Sequence, residues 1–312
     1  MVRFAKEGDL PFLKDIWKKA FDDSDAFIDW NFKNNFSYEN TLIAEKDGES
    51  ASNMQLMPHS IMLYNKEYKI RYVSGVATLE RFKRQGLVRD MFRVAFAEMR
   101  KHNEHISILI PFNYEFYQQF GYEVCYGKTQ ITIEEKIDKK DILTNYYDFS
   151  LLISTLDKIY KKSMEDKNGY AIRKTLDWQR ILEDWLLVSK EGIYLHKTDG
   201  IIDGYAFLEE KDGHYLADEV CGNCKFAFSY TDKKQAMVRI INPLPLLNNI
   251  KGVFENGTVI KIVDDFIDDN NIIVRAGENY TELTTDKWDI ELSINELTKK
   301  FFGNDNYISL MY

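Results

Sequence analysis

Two stretches of this 312-residue chain hold side chains whose types and spacing can do chemistry. The first is Lys83-Arg84-Gln85-Gly86-Leu87-Val88, a turn leading from an apolar strand into an amphipathic helix. A helix start offers unpaired backbone N–H groups and a partial positive charge, which together hold a diphosphate without side-chain specificity. Gly86 lets the main chain approach such a ligand closely, and Lys83 and Arg84 supply neutralising charge. The second stretch is Pro111-Phe112-Asn113-Tyr114-Glu115-Phe116-Tyr117-Gln118-Gln119-Phe120-Gly121-Tyr122. A phenol close to the reacting atoms of a ligand cradled upstream suits proton transfer. Each motif also has a plain structural explanation: a solvated charged turn, and a core tyrosine between Phe116 and Phe120.

Other candidates are weaker. Cys221-Gly222-Asn223-Cys224 has the spacing of half a zinc site or a redox pair, but only His214 and Cys125 could complete it. Gly-Asn between two cysteines is also ordinary turn chemistry. Asp264-Asp265 and Asp268-Asp269-Asn270 lack the ligand spacing and terminal glutamate of a calcium hand. His59, His102 and His105 form no recognisable triad. No metal is expected.

The elements that must position the two motifs can be read from periodicity. Val2 to Phe4 reads as a strand, and Leu10, Leu13, Ile16, Trp17, Ala20 and Phe21 as a helix with Asp9 as N-cap. The aromatic stretch Asp25 to Phe36 reads as packing, with a short helix as the alternative. Leu42 to Glu45 and Ser52 to Met57 form a hairpin across Asp47-Gly48. Ser60 to Tyr64 and Tyr68 to Val73 pair around Asn65-Lys66-Glu67, and the strand continues to Leu79. Val88, Met91, Phe92, Ala95, Phe96 and Met99 mark the helix after the turn, and Ile106 to Ile110 a buried strand. A charged run, Glu134 to Asp141, marks a boundary. Two helices follow, carrying Leu152 to Tyr160 and Trp178 to Trp185. Strands are expected at Ile193 to Leu195, Tyr205 to Leu208, Met237 to Ile241, Val259 to Val263 and Ile272 to Arg275. Helices are expected at Leu246 to Ile250 and Ile294 to Phe301.

The length implies two or three domains, and 45% apolar residues supply their cores. A net charge of −9 argues against a nucleic-acid partner. It suits a cationic small substrate, which an acidic cleft concentrates, although it serves solubility equally well. Three cysteines are too few, and odd in number, for a disulfide framework. There is neither a secretory signal pattern nor an apolar run near the roughly 20 residues that span a bilayer. The expectation is a cytoplasmic protein with no membrane partner.

Together the turn and the aromatic motif resemble the GNAT superfamily of N-acetyltransferases, whose pyrophosphate loop runs Arg/Gln-x-x-Gly-x-Gly/Ala. Lys83 here replaces the usual Arg or Gln, and Val88 the final small residue. The match is better to the enhanced-intracellular-survival (Eis) branch, whose loop reads basic-basic-x-Gly-Leu/Val-Leu. Pro111-Phe112 followed by Phe116-Tyr117-x-x-Phe120-Gly121-Tyr122 looks like that branch's signature. Tyr170 to Trp185, then Gly204-Tyr205, is similar to its second, degenerate GNAT-like domain. Val238-Arg239-Ile240-Ile241-Asn242 with Leu244-Pro245-Leu246-Leu247 resembles the opening of its C-terminal sterol-carrier-like domain.

The resemblance implies an α/β (α+β) chain in three parts. Residues 1–135 would be a GNAT domain, 136–232 a trimmed GNAT-like domain, and 233–312 a sterol-carrier-like domain. The trimming, to Val220 to Lys234 where the family has a longer stretch, leaves the family's homo-oligomer open. It implies acetyl-coenzyme A as cosubstrate, with Lys83, Arg84, Gln85, Gly86, Leu87 and Val88 at the diphosphate. Backbone groups of Val76, Ala77 and Thr78 would pair with the pantetheine arm. Tyr117 would be the general acid, and the carboxylate of Tyr312 the general base. The apolar run Tyr307 to Tyr312 favours an ordered end. No cysteine falls in either motif, so acetyl would pass directly to a primary amine in a ternary complex. That amine would belong to an aminoglycoside, a polyamine or a peptide lysine. The alternative is a coenzyme A sensor or an apolar-ligand carrier without catalysis.

Overall fold

Alternation along the first strands sets the layers. Strand β1 (Val2–Phe4) pairs antiparallel with β2 (Thr41–Lys46), and helices α1 (Leu10–Ala20) and α2 (Asp25–Asn34) lie between them in sequence. On β2, Leu42 and Ala44 pack into one cluster while Ile43 packs with Trp17 of α1 and Phe32 of α2. Successive side chains of a strand point to opposite faces, so α1 and α2 cover one face of the sheet. In a computed structural model, the chain is described throughout except at residues 135, 146–148, 225, 227, 251, 279–280 and 304–312. The side chains of 128–130, 228 and 230–235 are likewise outside the description.

Asp9 does not cap α1 as expected. Its carboxylate instead accepts from the Arg3 guanidinium (2.7 and 2.9 Å) and the Lys6 backbone N–H (2.8 Å), an ion pair that outcompetes the cap. The aromatic stretch expected as packing is helical to Asn34, because Ser24 caps it by accepting from the Phe27 N–H at 3.1 Å.

Strands β3 (Glu49–Leu63) and β4 (Lys66–Thr78) continue the meander. The turns are Asp47-Gly48 (φ 53° and 84°) and Tyr64-Asn65 (φ 49° and 58°). Positive φ at both central residues is the type I′ hairpin geometry, and it places the second turn at Tyr64-Asn65, one residue earlier than expected. No break separates Met57 from Ser60; β3 runs unbroken through Pro58. Helix α3 (Leu87–Lys101) follows, then β5 (Ile106–Leu109) parallel to β4, α4 (Tyr114–Gln118) and β6 (Glu123–Ile133). Leu87, Met91, Phe92, Ala95, Phe96 and Met99 form the buried face of α3, on the side of the sheet opposite α1 and α2.

The middle of the chain runs β7 (Ile142–Leu143), α5 (Phe149–Ser163), β8 (Tyr170–Ala171) and α6 (Thr175–Leu182), the last extended by a π-helical turn over Glu183–Val188. Then come β9 (Gly192–Thr198), β10 (Ile201–Lys211), β11 (His214–Gly222) and β12 (Phe228–Ile240). Strand β11 was not expected, and β12 starts well before Met237. All twelve strands so far form one sheet in the order β1-β2-β3-β4-β5-β12-β6-β11-β10-β9-β7, with β8 beside β3. Strand β12 therefore sits between β5 and β6, paired antiparallel to both.

The rest is α7 (Pro243–Asn249), β13 (Val259–Val263), β14 (Ile272–Ala276), β15 (Thr281–Leu283), β16 (Ile290–Ser293) and α8 (Ile294–Phe302). Its four strands form a second sheet in the order β15-β14-β13-β16. Ser293 and Glu296 make a reciprocal capping box at the start of α8. Leu297 and Phe301 of α8 join Ile106, Ile108 and Val238 of the large sheet in one core.

Candidate functional site

The site begins where two parallel strands part. Strands β4 and β5 pair from Ile70↔Ile106 to Val73↔Leu109, where β5 ends. Strand β4 runs on to Thr78, paired only with β3. Its register skips from Gln55↔Ser74 to Asn53↔Ala77, a bulge that bends the strand away. Gly75 in that bulge has φ 58°, and a Cβ there would lie 2.5 Å from the Trp17 ring. Only glycine fits. Asn53 Nδ2 donates to the Gly75 carbonyl (2.8 Å) and Ser52 Oγ to the Ala77 carbonyl (2.7 Å), so β3 side chains stabilise the bulge. A strand paired on one side presents alternate N–H and C=O groups along its other edge. Val76, Ala77 and Thr78 occupy that edge.

The strand edge leads to the helix N-terminus. Arg84 (φ 61°) and Gly86 (φ 81°) turn the chain so that α3 starts at Leu87, with its first N–H groups lacking intrahelical acceptors. A cavity of about 200 Å³ lies in front of them. Thr78 and Arg84 to Val88 line one side of it; Phe116, Gln119 and Phe120 line the other. Lys83 does not line it; its ammonium pairs with Glu80 at 2.6 Å in solvent. Arg84 has no ion pair among the described residues. Arg89, in the first turn of α3, lines the cavity as well, donating to Gln119 Oε1 at 3.2 Å. The sequence reading missed it, although its place three residues past Gly86 was visible. A larger cavity, about 320 Å³, is lined by Glu39, Arg71, Glu98 and His102, and no motif residue reaches it.

Tyr117 lies behind the Phe116 wall. Asn113 caps α4, accepting from the Phe116 N–H at 2.8 Å, and this orients the helix. The phenol is buried among Phe112, Phe116, Phe92 and Tyr122, with ring centroids 5.1–6.2 Å away. The Tyr122 hydroxyl is committed to Ser107 Oγ at 2.6 Å, whereas the Tyr117 hydroxyl makes no hydrogen bond to a described residue. Burial, helped by the nearby Tyr72 phenol, pushes the Tyr117 pKa up, so it keeps its proton throughout the neutral range. Burial alone pushes Tyr72 up to about 12. Thus Thr78 and Arg84 to Val88 share one cavity, whereas Val76 and Ala77 precede Thr78 on β4 outside its lining, and Tyr117 lies behind Phe116 without lining it. Tyr312 lies outside the described residues.

The Cys221 and Cys224 thiols are both pushed up to about 12, chiefly by burial, which leaves them poor nucleophiles at neutral pH. Among the described residues, no three His, Cys, Asp or Glu side chains converge as metal ligands, and no helix is long and apolar enough to cross a membrane.

Residues 1–125 match the family described as Acetyltransferase (GNAT) domain. No curated protein matches the sequence. Three solved structures are similar over nearly the whole chain. A GCN5-related N-acetyltransferase from Anabaena variabilis has a TM-score of 0.77 at 16% identity, covering 97% of this chain and 90% of its own. Eis1 from Mycobacterium abscessus has a TM-score of 0.73 at 12% identity, covering 97% and 89%. A GCN5-related N-acetyltransferase from Kribbella flavida has a TM-score of 0.72 at 14% identity, covering 100% and 99%. At these identities the likeness is one of fold. The expected α/β (α+β) chain that opens with a GNAT fold is the one observed.

Proposed function

We propose that this protein is an acetyl-coenzyme A-dependent N-acetyltransferase that transfers acetyl directly to an amine. The observation that carries this reading is the continuity of the unpaired β4 edge with the α3 N-terminus. A pantetheine arm is a chain of amides ending in a diphosphate, and this path offers amide partners followed by an anion cradle. Val76, Ala77 and Thr78 would hold the arm. The N–H groups of Gln85 to Val88, with the Arg84 and Arg89 guanidinium groups, would hold the diphosphate.

Bound acetyl-coenzyme A would supply a thioester carbon for attack by the amine. Tyr117 Oη donates its hydrogen bond to the departing sulfur. Its raised pKa makes complete proton transfer uphill, so most of its effect is stabilisation of developing thiolate charge in a dry site. The amine must first lose a proton, because a free alkylamine is below about one part in a thousand at neutral pH. The carboxylate of Tyr312 is the base in this proposal, and extending the chain past Tyr312 tests it. The three-part reading, with residues 233–312 as a sterol-carrier-like unit, belongs to the same proposal. The boundary at 232/233 falls within β12, so the third part would supply a strand to the sheet of the first.

Release of free coenzyme A with a panel of amines is the test. Tyr117→Phe is expected to lower kcat by about 10²–10⁴ with little change in coenzyme affinity. A kcat within about threefold of wild type would remove Tyr117 from the chemistry. Coenzyme binding without turnover on any amine would favour the sensor instead.

A further inference from the structure

Strand β3 carries a row of polar side chains that the coenzyme cradle leaves unused. Gln55, Met57 and His59 alternate along it, opposite Ser74, Tyr72 and Ile70 of β4. Directly opposed residues share a face, so these six line one side of the sheet. Leu56 and Val73, between them in sequence, pack with α3 on the other side. The row therefore faces away from α3. It is level with the parting of the strands, since Ser74 is the first β4 residue beyond the last β4–β5 pair. Ser74 is only half-buried, so the row reaches solvent at that end.

Three polar atoms on β3 are buried and make no hydrogen bond to the protein: Asn53 Oδ1, Gln55 Nε2 and His59 Nε2. Asn53 and Gln55 are 0% and 2% exposed. Burying such groups is costly, and folded proteins satisfy the great majority of them, so three along one strand call for an external partner. Asn53 is oriented by its Nδ2 bond to Gly75, which leaves Oδ1 as an acceptor. The Gln55 amide N–H is a donor, and burial holds His59 neutral at pH 7. No charged residue stands among the six opposed positions, and the charges that reach the row, Asp177 and Arg180, act at its His59 end, so at Gln55 a ligand is recognised by hydrogen bonds.

Building on the transferase reading above, we infer that this row is the acceptor subsite, selecting an amine with a hydroxyl or carbonyl oxygen near its nitrogen. The ligand oxygen accepts from Gln55, and a ligand N–H or O–H donates to Asn53. A bare alkylamine leaves Gln55 buried and unpaired.

Ethanolamine and propylamine, near-isosteric, form the test pair. The wild-type kcat/KM for ethanolamine should exceed that for propylamine by about tenfold or more, the worth of one buried hydrogen bond. In Gln55→Met that ratio should fall to within about twofold. The isosteric Gln55→Glu, should the methionine variant not fold, should turn the preference towards putrescine. A wild-type ratio near one, or a ratio unchanged in either variant, overturns the inference. Calorimetric titration of both amines into coenzyme A-saturated protein separates the two readings. Tighter ethanolamine binding without turnover keeps the subsite and refutes the transferase; equal or absent binding refutes the subsite.

Discussion

Gly121→Ala should be among the most damaging single-methyl additions in this chain. Gly121 has φ 80°, where an alanine costs about 1–2 kcal/mol. The larger cost is steric. A Cβ there would sit 1.5 Å from Arg239 Nη1 and 2.9 Å from Ile294 Cγ2. The guanidinium has nowhere to go: Arg239 is fully buried, donates to the Phe120 carbonyl at 2.5 Å, and pairs with Asp264 at 2.7 and 3.0 Å. Asp264 is held in turn by the N–H groups of Phe266 and Ile267 and by Asn270 Nδ2. Dislodging one partner of a buried ion pair costs roughly 3–5 kcal/mol, so the total is about 4–7 kcal/mol. That rivals the whole stability of an ordinary domain. Urea unfolding, followed by tryptophan fluorescence, should place Gly121→Ala far below wild type. In an Arg239→Met/Asp264→Leu background, where the pair is replaced by apolar side chains, the same substitution should cost clearly less: the backbone part, about 1–2 kcal/mol, and the remaining contact with Ile294. An equal cost in both backgrounds would refute the steric argument.

Two further outcomes can be measured alongside those given for Tyr117 and Gln55. Arg84→Ala combined with Arg89→Ala should raise the KM for acetyl-coenzyme A about tenfold and flatten its dependence on ionic strength, which kinetics at two salt concentrations would read. His59 should make the fold acid-sensitive. Burial lowers its pKa from 6.5 to about 4, so the unfolded chain takes up the proton first. Stability then falls as pH drops through 6.5, and the loss is complete near 4, amounting to about 3 kcal/mol. His59→Gln should remove that slope; an unchanged acid limb in urea titrations would show that His59 is not its source.

Local chemistry was enough for several parts of this protein. The Asp47-Gly48 turn, the buried face of α3 and the left-handed Gly86 before it depend on residues a few positions apart, so the sequence alone determined them. The same holds for the α4 aromatic motif as a motif. Tertiary structure decided the rest. That β12 would pass between β5 and β6 depends on pairing Met237 with Leu109 and with Val124, and no periodicity encodes a partner that distant in the chain. The glycine of Phe120-Gly121-Tyr122 was legible as part of a motif, but its reason, the Arg239 guanidinium, comes from β12, the neighbouring strand in the sheet but distant in the chain. In the sequence Asn53 and Gln55 fall within an expected strand and His59 in the gap after it, and nothing there sets the three apart. Only the folded neighbourhood, by running β3 through all three, burying them and withholding partners, makes of them a candidate binding surface, because satisfaction of a hydrogen-bonding group is a property of its surroundings and not of its residue type.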